Sequence, residues 1–309
     1  MPAFLVAALY KFAPLRDLPG LKAGLEKICA ENEVCGTLLL AQEGINGTIA
    51  GSRAGIDNVL GYLRAQDGLA DLEHKESTAE AQPFHRMKVR IKKEIVTMGL
   101  PDIDPNKTVG EYLSPAEWDK VISDPETVVI DTRNEYEVRI GTFKNAVNPH
   151  TGSFTQFPDY VAKNLDPAKN KSVAMFCTGG IRCEKASSYM KSLGFENVYH
   201  LKGGILKYLE ETPAEKSAWN GECFVFDQRV SVKHGLEQGS YALCPACREP
   251  ISAADRAGEK YIEGVACPHC FDRTTPAQKA SAAERHKQVK LAEARGEKHI
   301  GAAYEGDEG

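Results

Sequence analysis

The residues best suited to chemistry surround one cysteine in the middle of the chain. Cys177 follows the apolar stretch 172–176 and precedes a helical pattern from Glu184 to Leu193, which predicts a strand end and a helix start. Backbone N–H groups of a glycine-containing turn, the helix dipole and the Arg182 guanidinium would stabilise a thiolate there. The pattern predicts that Cys177 is a nucleophile with a lowered pKa. The other residues of its loop are Thr178, Gly179, Gly180 and Ile181.

The spacing within this loop disfavours one class of reaction. Cysteine phosphatases need one residue more between cysteine and arginine than the four that separate Cys177 from Arg182, because their loop closes around a phosphate. A loop of the present size suits a sulfur atom, a peroxide oxygen or a thiolate that attacks a flat group. Cys183 is either a resolving thiol for an oxidised Cys177 or a packing residue, and the sequence leaves both open.

Four further cysteines have the spacing of a metal site. Cys244 and Cys247 form one Cys-x-x-Cys pair, and after nineteen residues Cys267 and Cys270 form another. Two such pairs are typical of a structural zinc site that folds a segment too small for its own core. Redox thiols are the less specific alternative. Four cysteines leave no position for water, so we expect no catalytic zinc and place His269 at the surface.

A basic run ends the first hundred residues. Its side chains follow the alternation of a half-buried strand, and residues 85–93 contain no acidic group. Three alternate cations would share one strand face and could follow a phosphate backbone. Charge alone favours the simpler interpretation, a solvated strand face. The candidate nucleic-acid contacts are Arg86, Lys88, Arg90, Lys92 and Lys93.

Composition limits the class of protein. The 309 residues are 42% hydrophobic and 26% charged, which is ordinary for a globular protein of two or three domains. No apolar run approaches a membrane span, and no signal peptide is visible, so we expect a cytoplasmic protein whose nine cysteines serve catalysis and metal binding. The net charge of -5 argues against a globally basic DNA binder, so any RNA contact needs a local patch.

The hydrophobic pattern predicts a multidomain chain of α+β and α/β type. Residues 1–97 follow a βαββαβ order, which indicates a ferredoxin-like domain closed by a strand at 87–91. A linker with a helix at 98–122 leads to a parallel α/β domain at 123–218. A turn-rich, zinc-ribbon-like extension that carries the four paired cysteines follows at 219–275, and a charged tail at 276–309 is expected to be a solvated helix or disordered.

Residues 108–215 resemble the rhodanese family. The matching segments are 129–133 (VIDTR), the Cys177 loop and 201–205 (LKGGI). In that family the loop cysteine carries a persulfide or acts as a thiolate. The resemblance implies that Asp131 and Arg133 form a buried pair that braces the loop and takes no part in chemistry.

A narrower resemblance spans residues 4–272. The segments 41–49 (AQEGINGTI), 92–96 (KKEIV), 131–137 (DTRNEYE) and 177–186 (CTGGIRCEKA) are similar to the bacterial oxygen-dependent tRNA uridine hydroxylases. The resemblance implies an acylphosphatase-like N-terminal domain, O2 as co-substrate, and oxidation of a wobble uridine to 5-hydroxyuridine. It also implies that the tRNA anticodon loop is the partner, that the basic strand contacts it, and that Cys177 is the essential cysteine.

The sequence leaves the mechanism open. Our hypothesis is that the Cys177 thiolate adds to C6 of a splayed-out uracil, so that C5 becomes enolate-like and meets oxygen or a peroxide. Loop N–H groups would stabilise negative charge, and Arg182 would hold the thiolate or a phosphate. No residue pattern identifies an electron donor or a protein partner. The alternatives are a sulfurtransferase that uses a Cys177 persulfide and a tRNA-binding protein without catalysis.

Overall fold

The computed structural model of the protein describes residues 4–296. Its first part contains β1 (Phe4–Phe12), α1 (Leu18–Glu31), β2 (Cys35–Ala41), β3 (Gly44–Gly51), α2 (Arg53–Arg64), β4 (His74–Ala79) and β5 (Met87–Ile91). These strands form one sheet in the order β4-β1-β3-β2-β5, antiparallel except for the β2–β5 pair. The two helices and one sheet face enclose a core of aliphatic side chains, and the other face lacks a helical layer.

The predicted βαββαβ order is present, but the strand that closes it is β4. We expected Met87–Ile91 in that role; β5 instead extends the opposite edge, parallel to β2. Sequence pattern missed β4 because its residues, HKESTA, are polar and mostly half-buried. Hydrophobic alternation marks a strand only when one of its faces packs against the core.

The second part is a parallel α/β unit. It comprises β6 (Glu111–Leu113), α3 (Pro115–Ile122), β7 (Thr127–Asp131), α4 (Glu135–Val138), β8 (Gly141–Phe143), α5 (Phe157–Asn164), β9 (Ser172–Phe176), α6 (Ile181–Ser192), β10 (Asn197–Leu201) and α7 (Gly204–Glu211). The sheet order is β6-β10-β9-β7, and all pairs are parallel. The sheet thus starts at Glu111, before the predicted domain start at residue 123. Hydrophobic pattern missed β6 because this strand has only three residues and two of their side chains are exposed.

An aromatic cluster at the centre of this unit joins it to the C-terminal extension. Phe143 contacts Trp118, Phe176, Tyr208 and Trp219 at ring-centroid distances of 4.7–5.5 Å. These tilted and edge-on pairs each add about 0.5–1.5 kcal/mol beyond the burial of their area. Trp219 follows the unit in sequence, so the extension begins inside its core.

The extension is built from short elements. They are β11 (Trp219–Gly221), β12 (Cys223–Phe224), β13 (Ser231–Val232), β14 (Ala242–Leu243), β15 (Pro250–Ile251), α8 (Ala253–Ala257) and α9 (Pro276–Ala294). α9 covers the first part of the charged tail and is mostly exposed, whereas residues 297–309 of that tail lie outside the described residues. Among residues 4–296, none of the helices has the length and apolar character needed to cross a membrane.

A buried ion triad joins the first two units. The Lys185 ammonium, on α6, donates to Glu43 at 2.8 Å and to Glu94 at 2.7 Å. Lys185 is fully buried, and Glu94 is 8% exposed. Burial alone would raise the pKa of Glu94, but hydrogen bonds from Lys185 and from two backbone N–H groups lower it. These hydrogen bonds therefore favour the ionised Glu94 carboxylate at the junction.

We predict that Lys185→Met lowers the free energy of unfolding by ~3–5 kcal/mol, because it leaves two carboxylates at the junction without their cation. Urea unfolding followed by circular dichroism measures this. Lys191→Met is the matched control, since Lys191 on the same helix makes only an exposed hydrogen bond to the Glu196 carbonyl. Equal unfolding midpoints for the two variants would show that the triad does not hold the units together.

Candidate functional site

The Cys177 loop lies where β9 ends and α6 begins. Gly180 adopts a left-handed φ of 106°, and a Cβ there would lie 2.9 Å from the Tyr10 hydroxyl, so the turn requires glycine. The carbonyl of Cys177 accepts from Ile205 N at 2.9 Å, and that of Thr178 accepts from Leu206 N at 3.0 Å. The first turn of α7 thus fixes the loop from below.

Several donors stabilise the Cys177 thiolate. Burial alone would raise its pKa, but a hydrogen bond from the Cys183 thiol, the Arg182 charge and the backbone N–H groups of Cys183 and Gly180 lower it to about 6. The Gly180 N–H lies 3.2 Å from the Cys177 sulfur. Cys177 is therefore mostly a thiolate at pH 7, although it is only 1% exposed.

Cys183 is the neutral partner of this thiolate. Burial and the contact with Cys177 raise its pKa well above that of a free thiol. Its sulfur lies 3.4 Å from the Thr132 hydroxyl and is fully buried. Cys183 packs in the core, as one of the two sequence interpretations expected, and also donates to Cys177. Its role as a resolving thiol stays a prediction.

Arg182 makes an ion pair that sequence analysis did not assign. Its guanidinium donates to both carboxylate oxygens of Glu137, at 2.9 and 3.1 Å, and its carbon lies 5.8 Å from the Phe226 ring centroid. Glu137 is completely buried. The pair leaves the Arg182 charge acting on the Cys177 sulfur through space, while two of its N–H donors are directed to Glu137.

Asp131 and Arg133 lie one layer further in. Arg133 donates to the two Asp131 oxygens at 2.9 and 2.6 Å and to the Gly141 carbonyl at 2.6 Å, and both residues are fully buried. Arg133 also stacks over Trp219, 5.1 Å from its ring centroid. Cys223 packs close to this pair, and burial raises its pKa to about 12.

A cavity of about 510 Å³ opens above Cys177. Its floor is the loop at Cys177, Thr178 and Gly179, and its roof is the face of the N-terminal sheet that has no helices. The roof residues that alternate on that face include Ala8, Tyr10, Thr37, Leu39, Asn46, Thr48 and Lys75. The volume lies in the range of small-ligand pockets. The site thus belongs to the N-terminal sheet, the α/β unit and the C-terminal extension, which lines the cavity with Val225, Phe226 and Val232.

Three cavity residues were missed by sequence analysis. Lys75 donates to the Gly179 carbonyl at 3.2 Å, and its pKa is lowered, mainly by burial. Tyr10 lies beside the same loop. Phe226 is 57% exposed at the cavity wall. Sequence analysis missed Lys75 because its strand has no apolar pattern, and it missed Phe226 because this residue lies in turn-rich sequence. Glu137, the partner of Arg182, could have been found, since it belongs to the segment 131–137 that resembles the hydroxylase family.

The four cysteines of the extension come together. The sulfurs of Cys244, Cys247, Cys267 and Cys270 all lie within 4.8 Å of one another. Two of these S···S distances are 3.7 and 3.8 Å, which is close to the edge of a tetrahedron with ~2.3 Å metal–sulfur bonds. The donor set can therefore hold a metal ion.

The basic run lies at the free edge of the N-terminal sheet. Val89 points into the core, while Lys88 and Arg90 lie on the opposite face. Lys92 and Lys93 continue past the end of β5 and are exposed, as is Arg86 before it. The run is separated along the sheet from Cys177 by β2, β3 and β1.

We predict that alkylation of Cys177 by iodoacetamide has a pH midpoint near 6, with the rate rising as pH rises, because the thiolate reacts. Peptide mass spectrometry of quenched samples measures the rate at this cysteine. Cys183→Ala should move the midpoint upward because it removes a donor, whereas Cys183→Ser keeps an O–H donor and should shift it less. A midpoint near that of a free thiol in the wild type would contradict the prediction.

Two family models match separate parts of the chain. The UPF0176 acylphosphatase-like domain matches residues 4–95, and the rhodanese-like domain matches residues 114–211. A rhodanese-related protein of Thermoplasma volcanium is 25% identical, with 33% of this chain and 92% of its own aligned at a TM-score of 0.28. A rhodanese-like domain protein of Staphylococcus aureus is 20% identical, with 32% and 90% aligned at a TM-score of 0.27.

A relative that aligns over nearly its whole length with this chain identifies the family. A tRNA uridine(34) hydroxylase of Teredinibacter turnerae is 61% identical over 301 residues, which are 97% of this chain and 94% of that protein. This match confirms the narrower resemblance predicted from the sequence. The chain belongs to the tRNA uridine(34) hydroxylase family.

Proposed function

We propose that this protein hydroxylates C5 of uridine 34 in tRNA, with O2 as co-substrate and Cys177 as the nucleophile. One observation carries the proposal: a thiolate with a pKa of about 6 faces a cavity of about 510 Å³ in a chain of this family. The cavity is large enough for one base that has left its stack, which is how enzymes reach a base for chemistry.

The reaction proceeds in three balanced steps. The Cys177 sulfur forms a bond to C6 of the uracil, and the electron pair of the C5–C6 bond moves onto C5 and the O4 carbonyl. C5 then bonds to one oxygen atom of O2 to give a peroxide anion; an external two-electron reductant, such as a pair of thiols that become a disulfide, and two protons release the outer oxygen atom as water and leave an alkoxide on C5. The C5 proton passes through solvent to this alkoxide as the bond between C6 and sulfur breaks, which restores the C5–C6 bond and the thiolate.

Residues around the cavity have distinct tasks in this proposal. The donors that lower the pKa of Cys177 also make it a leaving group in the last step. Lys75, held at the Gly179 carbonyl, supplies positive charge where O4 or a peroxide gains negative charge. Phe226, with an exposed ring beside the cavity, stacks on the displaced base. Arg182 acts on the thiolate through space, and the ion pair with Glu137 holds the Arg182 guanidinium in place.

We predict that Cys177→Ser abolishes 5-hydroxyuridine formation, because the serine hydroxyl stays protonated and does not add to C6. Nucleoside mass spectrometry of tRNA from a host that lacks the gene, complemented with each variant, measures the product. Cys35→Ser is the control, since Cys35 begins β2 and is not among the residues that line the cavity.

Two other results would redirect the assignment. Turnover of thiosulfate to a Cys177 persulfide, without 5-hydroxyuridine in any strain, would favour sulfurtransfer, which the rhodanese-like match also supports. If a host with the Cys177→Ser variant still contained fully hydroxylated tRNA, this protein would be a tRNA-binding partner of another enzyme.

We also propose that the four-cysteine cluster holds one structural zinc ion in a zinc-ribbon-like module. The S···S distances of 3.7 and 3.8 Å fit tetrahedral coordination, and four thiolates leave no open position for a reactant. The ion would fix the turns that carry the cysteines, since β14 and β15 have only two residues each.

We predict one equivalent of zinc per chain by native mass spectrometry. Cys270→Ser should lower the zinc content and make residues 240–275 sensitive to protease, because these turns have little core of their own. Ser252→Ala is the control within the same segment, since it removes only the N-cap of α8. Retention of the metal and of protease resistance in Cys270→Ser would contradict a four-cysteine site.

A further inference from the structure

An asparagine amide lies in the middle of the cavity roof. Asn46, on β3, is opposite Tyr10 of β1 and Leu39 of β2, and all three residues line the cavity above Cys177. Partners across an antiparallel pair share a face of the sheet, so the Asn46 side chain extends from the roof toward the loop. The amide is therefore placed to contact whatever occupies the cavity.

A backbone carbonyl fixes which end of this amide is free. The Asn46 Nδ2 donates to the Ile95 carbonyl at 2.9 Å. A carbonyl oxygen only accepts, so turning the amide over would place two oxygen atoms against each other. Among residues 4–296, no group donates to Asn46 Oδ1, and this oxygen is not buried. Oδ1 is therefore a free acceptor at the cavity.

The carbonyl that holds Asn46 is itself held at the junction of the first two units. The Ile95 N–H donates to one Glu43 oxygen at 2.7 Å, and the other Glu43 oxygen accepts from Lys185 at 2.8 Å. Ile95 is buried, with 1% of its surface exposed. The buried ion triad thus fixes Ile95, and Ile95 fixes the amide, so Asn46 cannot exchange its acceptor for a donor to suit another ligand.

The pyrimidine bases differ at the atom that would meet this acceptor. Uracil has an N–H at position 3, whereas cytosine has an unprotonated nitrogen there, next to an amino group. N3 lies across the ring from C6, so a uracil whose C6 is at Cys177 directs its N3 edge away from the loop, toward the roof. A fixed acceptor bonds to the N3–H of uracil and repels the N3 lone pair of cytosine. The Thr37 and Thr48 hydroxyls of the roof can donate or accept, so they do not distinguish the two bases.

We propose that Asn46 is a specificity-determining residue whose Oδ1 accepts the N3–H of uridine 34 and so selects uridine against cytidine. The proposal rests on the function proposed above, and it gives the segment 41–49 a role in reading the base. The second N–H of the Asn46 amide donates to a uracil carbonyl beside N3. The Ile95 carbonyl supplies the selectivity, because it keeps the amide from turning its nitrogen toward the N3 of cytosine.

Asn46→Ala tests this selection through the ratio of two affinities. Fluorescence anisotropy compares labelled anticodon stem-loops with uridine or cytidine at position 34, in the Cys177→Ser background, where no bond to C6 adds to either affinity. We expect the Cys177→Ser protein to bind the uridine stem-loop ~10-fold more tightly, the order of one well-placed hydrogen-bonded pair. Asn46→Ala should remove most of this difference, chiefly by weakening uridine binding. Asn58→Ala is the matched control, because the exposed Asn58 amide on α2 bonds to Asn32 and does not line the cavity.

Asn46→Asp separates base selection from support of the fold. A carboxylate accepts from the amino group of cytosine as well as from the N3–H of uracil, so the preference for uridine should again fall. Urea midpoints of the variants measure their stability. A lower midpoint with an unchanged ratio of affinities would show that Asn46 only holds Ile95, and this result would overturn the proposal. Equal affinities of the Cys177→Ser protein for the two stem-loops would overturn it as well.

The outcomes also separate this proposal from the function on which it rests. If neither Asn46 variant changes the ratio while cells with the wild type contain 5-hydroxyuridine, another group selects the base; this proposal then fails and the proposed function stands. If the wild type restores no 5-hydroxyuridine to tRNA in the host that lacks the gene, the proposed function itself has failed.

Discussion

Lys185 donates to Glu43 and Glu94 from the same helix that begins at the reactive loop. A buried ion triad of this kind tolerates little displacement, because each charge without its partner is costly in a low dielectric. The junction therefore fixes the Cys177 loop below the open sheet face. The cavity is the space between these two surfaces, which the triad and the apolar cluster of Phe12, Ala41, Ile95 and Ile181 hold together.

The thiolate depends on a chain of alternating charges that reaches into the core. Cys177 is next to Arg182, Arg182 is paired with Glu137, and behind them Arg133 is paired with Asp131. Glu137 neutralises much of the Arg182 charge, so the arginine alone does not account for the lowered pKa. The hydrogen bonds from Cys183 and Gly180 supply the rest. The pKa of Cys177 is therefore sensitive to the neutral hydrogen-bond donors around its sulfur as well as to the Arg182 charge.

The parts of the site that follow local sequence rules were predictable. The position of Cys177 follows from a strand, a glycine turn and a helix that are consecutive in sequence. The four-cysteine cluster follows from two Cys-x-x-Cys pairs at a short separation. The roof of the cavity was not predictable. Lys75 lies on a polar strand that has no periodic signal, and its approach to Gly179 spans a hundred residues of chain. Such contacts arise from packing between units, which a local pattern does not encode.

The N-terminal unit also narrows the chemistry that the loop can perform. A loop cysteine that only carries sulfur needs room for one atom and an open approach. Here the N-terminal sheet covers the loop and encloses about 510 Å³ whose lining is mostly aliphatic and aromatic, with a few hydroxyl and amide groups such as those of Thr37 and Asn46. A space of that size costs packing energy that a sulfur carrier would not require. It matches a planar, hydrogen-bonding group such as a base, and it lies on the sheet face that leads to the cations of the edge. We therefore infer that the N-terminal domain makes a general sulfur-handling loop fit a nucleotide.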